Sequence, residues 1–301
     1  MNTAALDRRA LGRRLTELTN ASGLELARSP LREPAAQHAR RIGITGAPGA
    51  GKSTLLGHLA VARAERGRLG ILAVDPSSPK SGGAILGDRV RMDELAGASE
   101  LYIRSLGSRR TSDGLADNLP EMLDAMDDFG FQEVMLETVG VGQTEYAARI
   151  QVDTLVLVLL PDSGDTVQAM KAGIMEMADI FVVNKADLAG AQKMATDIRR
   201  IAAITRHAPG DWLAPVLLAS AAQPESIAAL SQAIDSHQAW LAGGNLRQAL
   251  QLQRGRYRLR RLMELRAAEV VAQQQAGFFA QPLDQQLRQA FEAADRIGRD
   301  A

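Results

Sequence analysis

The sequence predicts an α/β protein: a doubly wound, mainly parallel sheet with helical extensions at both ends. Three observations carry this. Short apolar runs recur along the chain, most of them separated by helical stretches. Several of the runs show little hydrophobic–polar alternation, as in strands buried on both faces. The first run ends in a glycine-rich turn that leads directly into a helix.

The elements follow in order. Residues 1–38 read as helices, because Leu11, Leu15 and Leu18 recur at helical spacing and Pro30 and Pro34 close the segment. Residues 41–46 (RIGITG) form a β-rich run ending in glycine, and 53–66 are helical. Residues 69–75 (LGILAVD) are an apolar strand, 101–105 (LYIRS) another, and 115–128 a helix. Buried-strand patterns return at 133–138 (EVMLET), 154–160 (TLVLVLL) and 180–184 (IFVVN), with a last strand at 215–220. After Gly243 and Gly244 the pattern becomes helical again, over 246–275 and 283–298, rich in arginine and glutamine and outside the sheet. The chain therefore divides into a helical segment (1–38), a sheet domain (39–243) and a helical arm (244–301).

Composition narrows the function. Of 301 residues, 46% are hydrophobic and 23% charged, enough for a large core, but aromatics are only 4%, so aliphatic side chains must fill it. Net charge is zero, which removes the global electrostatic case for nucleic acid or an anionic membrane. There is no cysteine, excluding disulfides, thiolate nucleophiles and Cys-ligated zinc. Apolar runs such as 154–160 are too short to span a bilayer, and no apolar stretch follows the N-terminal arginines, so a cytoplasmic address is expected. Lysine is scarce. Lys52, Lys80, Lys171, Lys185 and Lys193 stand among 35 basic residues, so those that remain are candidates for roles that need an ammonium.

The strongest motif is Gly46-Ala47-Pro48-Gly49-Ala50-Gly51-Lys52-Ser53-Thr54, between a strand and a helix. It matches G-x-x-x-x-G-K-[ST], a phosphate-binding P-loop. Its glycines let backbone N–H groups turn toward phosphates, and the helix adds its positive end. Lys52 is placed to neutralise β- and γ-phosphates, and the Ser53 hydroxyl to ligate Mg²⁺. Asn184-Lys185-Ala186-Asp187 follows a buried strand. A carboxylate there can accept from guanine N1–H and N2–H₂, whereas adenine offers an acceptor at N1 and leaves the charge unpaired. Alone, such a tetrapeptide reads equally as a polar turn with an aspartate cap; behind a P-loop it reads as guanine selection, giving GTP and GDP as ligands. Ser220-Ala221, after the last strand, fits a backbone contact to guanine O6.

Glu137 ends a buried strand and is followed by Thr138, Val139 and Gly140. An acid at this position holds Mg²⁺ in P-loop proteins, and a nearby glycine N–H meets the γ-phosphate. Asp75 ends another strand and Asp88 follows in a glycine-containing loop; each reads either as a further oxygen donor to Mg²⁺ or as a cap or solvated loop acid. Arg254 to Arg266 form an arginine-rich stretch that reads as a solvated helix face or dimer contact rather than a nucleic-acid surface. His58, His207 and His237 lack ligand spacing and read as structural; Trp212 and Trp240 read as packing residues.

With these residues in place the chain resembles the MeaB/ArgK-type G-protein chaperones, in the class that includes the signal-recognition and nickel-insertion GTPases. The resemblance runs over about residues 38–230 and rests on 46–55 (GAPGAGKSTL), 74–92 (VDPSSPKSGGAILGDRVRM), 137–145 (ETVGVGQTE) and 164–187 (GDTVQAMKAGIMEMADIFVVNKAD). It implies a P-loop NTPase that hydrolyses GTP to gate adenosylcobalamin delivery to a B12-dependent acyl-CoA mutase, and to protect or reactivate that mutase. It implies that Asp75, Asp88 and Glu137 surround Mg²⁺, that residues 88–92 and 139–145 are switches, and that 161–171 form a further switch in which Asp165 and Lys171 respond to the mutase. It also implies a homodimer held by the C-terminal arm. Two stretches differ from the family pattern, RSLGSRRTSDGLADN at 104–118 and Pro161-Asp162-Ser163-Gly164. Both fall where the mutase is expected, so clients acting on isobutyryl-, ethylmalonyl- or 2-hydroxyisobutyryl-CoA stand beside methylmalonyl-CoA mutase.

The expected chemistry is in-line attack of water on the γ-phosphate, with Lys52, Mg²⁺ and the Gly140 N–H stabilising the developing charge. Gln143 is the nearest candidate to position the water, and Lys171 or Arg91 to supply charge once a partner orders the switches. Two other functions fit a P-loop: a metal-insertion GTPase, which would want a His/Cys metal store, and a nucleotide-dependent protein kinase, which would need a substrate hydroxyl and a base.

Overall fold

The computed structural model describes residues 5–29, 38–76, 100–108, 115–116, 118–138, 143–161, 173–204, 210–220, 223–244 and 246–295, with backbone only at positions 75, 76, 108, 143–145, 174 and 204. Strands are β1 (Arg40–Thr45), β2 (Leu69–Pro76), β3 (Leu101–Ser108), β4 (Glu133–Thr138), β5 (Thr154–Leu159), β6 (Ile180–Val183) and β7 (Val216–Leu218). Helices are α1 (Arg8–Asn20), α2 (Gly23–Arg28), α3 (Lys52–Ala64), α4 (Leu119–Asp128), α5 (Gln143–Gln151), α6 (Ala191–Ile204), α7 (Pro224–Ala242), α8 (Leu246–Ala272), α9 (Ala276–Phe279) and α10 (Leu283–Asp295).

The strands form one sheet in the order β3-β2-β4-β1-β5-β6-β7, with every pair parallel. Parallel pairing requires a crossover after each strand, and helices fill both faces. Ile42, Ile44, Val156, Val158, Ile180 and Val182 pack against α3 and α7. Alternate residues turn the other way: Val134, Leu136 and Leu155 meet α1, α4 and α5, while Leu157, Leu159 and Phe181 meet α6. This double burial explains the unbroken apolar runs in the sequence. The chain passes from β1 out to β2 and β3, returns to β4, and continues past β1 to β5. The carboxyl end of β1 is therefore where the winding direction reverses, which is where open α/β sheets bind ligands.

The helix expected from residue 115 begins at Leu119. Asn118 is left-handed (φ 59°) and Pro120 sits in the first turn, where its missing N–H costs nothing. Leu115 and Ala116 are buried without being helical, which is why the apolar pattern started early. The terminal helices are packed rather than loose. Leu11, Leu15 and Leu18 of α1 and Tyr257 of α8 enter the same apolar cluster as Val134 and Leu136. Ser22 and Glu25 form a capping box on α2, and the Gly23 N–H donates to Glu269 Oε1 of α8 at 2.6 Å.

Arg63 fixes α3 to the sheet. It is 1% exposed and donates from Nε to Glu133 Oε2 (2.7 Å), and from Nη1 to Ser231 Oγ (2.8 Å) and Nη2 to Asp235 Oδ1 (2.8 Å) on α7. A buried guanidinium needs such full satisfaction. The network locks α3 between β4 and α7, and so sets the direction in which the turn before α3 points.

Candidate functional site

The turn between β1 and α3 is shaped by contacts a side chain would break. Gly46 has φ 142°, and a Cβ there would stand 2.1 Å from the Val158 carbonyl oxygen of β5. Gly51 has φ 81°, and a Cβ there would stand 2.5 Å from Asn184 Nδ2. Only glycine meets both demands. Gly51 is the N-cap of α3 and supplies no side-chain cap, so the first-turn N–H groups keep their donor capacity for an anion. Lys52 is buried and reaches back across the loop, donating from Nζ to the Ala47 carbonyl at 3.0 Å. Thr54, in the first turn of α3, is exposed.

The loop after β6 is tied to this turn. Asn184 is buried and donates from Nδ2 to the Ala50 carbonyl at 2.8 Å; Lys185 donates from Nζ to the Gly49 carbonyl at 3.3 Å. Lys185 itself is left-handed (φ 52°), an uncommon backbone state for a residue with a side chain. The Ala186 N–H donates to the Ala219 carbonyl at 3.0 Å, and Ser220 Oγ donates to Asp187 Oδ1 at 3.1 Å. Thus four segments, Gly49 to Gly51, Asn184 to Asp187, Ala219 to Ser220 and the start of α3, are held together. Asp187 is exposed, with one oxygen oriented by Ser220. The described side-chain bonds of Asn184 and Lys185 are to carbonyls of the phosphate loop, so both act as struts that fix the distance from that loop to Asp187.

Glu137 lies at the end of β4, in register with Ile44 of β1. Its Oε1 accepts from Ser53 Oγ at 2.6 Å, and the carboxylate is buried. A hydroxyl and a carboxylate in contact beside Lys52 form an oxygen donor set, which suits a hard cation such as Mg²⁺ rather than a soft metal. Thr138 Oγ1 donates to Thr45 Oγ1 at 3.1 Å and fixes the ends of β4 and β1 side by side. Asp75 occupies the carboxyl end of β2, one residue beyond the Val74–Thr138 pair; its side chain lies outside the described residues. So do Asp88, Arg91, Gly140, Asp165, Lys171 and Ala221, while Gln143 is described only as the first residue of α5. Among the described residues no group of three His, Cys, Asp or Glu side chains gathers as a metal site.

Sequence reasoning missed the residues that shape the loops from behind. Ser226 of α7 accepts from the Ser220 N–H (3.2 Å) and donates to the Gln223 carbonyl (2.7 Å), fixing the turn after β7. Proline at the start of α7, two residues before this serine, is the only local signal. His237 is fully buried and bonds Thr154 Oγ1 at 2.9 Å, with the rings of Trp212 and Trp240 against it. These three pack together, in keeping with a structural reading of His237 and a packing reading of the two tryptophans. No helix among the described residues is long and apolar enough to cross a membrane.

Comparison with known proteins gives one family. Residues 13–276 match the family described as methylmalonyl-CoA mutase-associated GTPase MeaB. A Pyrococcus abyssi protein carrying the name GTPase is 47% identical over 188 residues, or 62% of this chain; the chain spans 57% of that relative's length. A Mycobacterium tuberculosis protein named Probable GTPase is 40% identical over 245 residues, 79% of this chain and 73% of its own. GTPase ArgK of Escherichia coli is 37% identical over 221 residues, 71% of this chain and 66% of its own. Among solved structures, one titled LAO/AO transport system kinase superposes with a TM-score of 0.64 at 24% identity, covering 96% of this chain and 99% of that chain. That likeness establishes the α/β P-loop fold.

Proposed function

We propose a function from one premise: the chain belongs to the MeaB family of methylmalonyl-CoA mutase-associated GTPases. On this reading it binds GTP and GDP with Mg²⁺ and hydrolyses GTP in the cytoplasm. That cycle gates adenosylcobalamin delivery to a B12-dependent acyl-CoA mutase, and protects or reactivates the mutase. The observation that carries the nucleotide half is the strut from Asn184 to Ala50, which sets a phosphate grip and an exposed aspartate at a fixed spacing.

The chain's own groups divide the work. Backbone N–H groups of residues 46–54, all but Pro48, and the α3 N-terminus hold the phosphates, and Lys52 offsets charge between the β- and γ-groups. Ser53 and Glu137, with Asp75 and Asp88, would hold Mg²⁺, which when bound neutralises phosphate oxygens. Gly140 offers an N–H to the γ-phosphate, and Gln143, at the head of α5, orients the attacking water. Arg91, Asp165 and Lys171 respond to the client. Ala221 meets the base edge beside Asp187.

The arm supports the homodimer. On α10, Leu283, Leu287 and Phe291 lie four residues apart and are 69%, 51% and 66% exposed. Leu252, Leu259 and Met263 add an exposed apolar row on α8. Apolar rows of this kind suit burial against a second copy. The differing stretches at 104–118 and 161–164 widen the client class to mutases acting on isobutyryl-, ethylmalonyl- or 2-hydroxyisobutyryl-CoA.

The partner half is tested with Lys171→Ala. It should keep the wild-type affinity for GTP, yet lose the rise in GTP hydrolysis that a client mutase produces, about tenfold or more for a charge that completes the site. Phosphate release measured with and without the mutase reads it. Undiminished stimulation in this variant would remove Lys171 from the switch.

A further inference from the structure

At the edge of the sheet opposite the phosphate loop lies a cleft of about 530 Å³, within the range of small-molecule sites. Its floor is the amino end of the sheet: Arg40 and Arg41 of β1, with Gln151 and Asp153 just before β5. Asp124 of α4 forms one wall. The other wall is one face of α8, which presents Arg247, Arg254, Gly255 and Arg258 at helical spacing. None of these residues belongs to the nucleotide site.

Five arginines and two aspartates line the cleft, and the pairs are ordered. Arg254 Nη2 bonds Asp153 Oδ1 at 2.8 Å, Arg258 Nη1 bonds Asp124 Oδ2 at 3.0 Å, and Arg41 Nη2 bonds Asp127 Oδ2 at 3.0 Å behind the wall. Arg40 meets Glu133 at 2.6 Å, and Glu121 backs Arg258 at 2.8 Å. Arg247 has no carboxylate partner among the described residues. It is exposed and lines the cleft.

Two further observations point to a ligand. Gln151 is 1% and Arg41 6% exposed, yet among the described residues Gln151 Nε2 and Arg41 Nε have no hydrogen-bond acceptor. Buried donors without acceptors are rare and costly. The second is Gly255. It lies inside the 27-residue helix α8, has no positive φ, and a Cβ there would meet nothing within 4 Å. Neither backbone nor packing demands glycine, although glycine weakens a helix interior. Gly255 lines the cleft, so a side chain there would have open space to enter. Burial depresses the pKa of Arg254; Asp153 opposes the shift, and the neighbouring Arg41 and Arg149 add to it more weakly.

From the cleft, from Arg247 and the buried donors that have no carboxylate or acceptor among the described residues, and from the open glycine, we infer that this edge binds a small organic anion through paired oxygens of a phosphate or carboxylate group. Arg247 supplies the attracting charge. The remaining N–H groups of the paired arginines supply fork-shaped donors, which match either head group. Leu250, Pro120 and Ala39 give an apolar side for its body.

The test is calorimetric titration of pyrophosphate and, separately, citrate, without magnesium, into the full chain carrying Lys52→Ala, which weakens the claim of the phosphate loop on either probe. Saturable binding of one of the two is expected, and the probe that binds identifies the head group. Adding Arg247→Ala should weaken it at least tenfold, and adding Gly255→Gln, which fills the cleft from a helix position with open space, should abolish it. Both variants should melt at or above the parent temperature. Binding of neither probe at millimolar concentration, or affinities unchanged by both added substitutions, overturns the site.

Discussion

Lys52→Ala is expected to remove productive nucleotide chemistry, lowering GTP turnover by about 100- to 1,000-fold, the usual cost of losing one preorganised electrostatic group. The ammonium is buried and already points across the loop, where it donates to the Ala47 carbonyl at 3.0 Å. Lys52→Arg should fail as well, because the larger planar fork cannot occupy a space shaped for a single point charge. The fold should survive both changes. The described bond of Lys52 to the turn is the one to the Ala47 carbonyl, whereas the turn is also fixed by Gly46 against Val158 and by Asn184 against Ala50. Single-turnover phosphate release, with thermal melting as a folding control, reads the result. Turnover within threefold of wild type would contradict the assignment.

Asp187→Ala should cost GTP about 100- to 1,000-fold in affinity. Two hydrogen bonds from guanine to a carboxylate are lost, each worth about 1.5–3 kcal/mol, and part is recovered by water. ATP affinity should change by less than about threefold, because adenine has no use for that carboxylate. Asp187→Asn makes a sharper comparison. An amide can donate to the second carbonyl of xanthine, where guanine has an amine, so this variant should favour xanthosine over guanosine nucleotides. Ser220 orients the carboxylate from 3.1 Å and does not bury it, so the substitution should leave stability nearly unchanged. Competition binding against a fluorescent GDP analogue reads all three bases on one preparation.

The motifs and the sheet were legible because both depend on local pattern. Parallel strands covered on both faces show as unbroken apolar runs, and the phosphate loop shows as glycines at fixed spacing before Lys52. Strand limits shifted by a residue or a few, since an edge strand such as β7 keeps its last bond, from the Ala219 N–H to Val183, outside the ladder. What could not be read was contact between distant loops. Asn184 looks like a nucleotide ligand in the sequence, and its described role is a bond to a carbonyl 134 positions earlier. That contact depends on the register of β1, β5 and β6 together. The arm was legible as helix, but not its anchorage. Tyr257 and Arg254 lie among other polar residues in sequence, and only the fold brings them onto the core and Asp153. Arg63 is similar: an arginine at the end of an amphipathic helix reads as solvent-facing, and here it is among the most buried side chains.

The central claim is that the strutted loops grip a triphosphate and select guanine at one fixed spacing. Titration calorimetry of the unmodified chain with GTP and with ATP, each with magnesium, tests it most directly. GTP should bind at least about 100-fold more tightly, the discrimination available when the wrong base leaves a charge unpaired. Equal affinity for the two, or no binding of either, would contradict it.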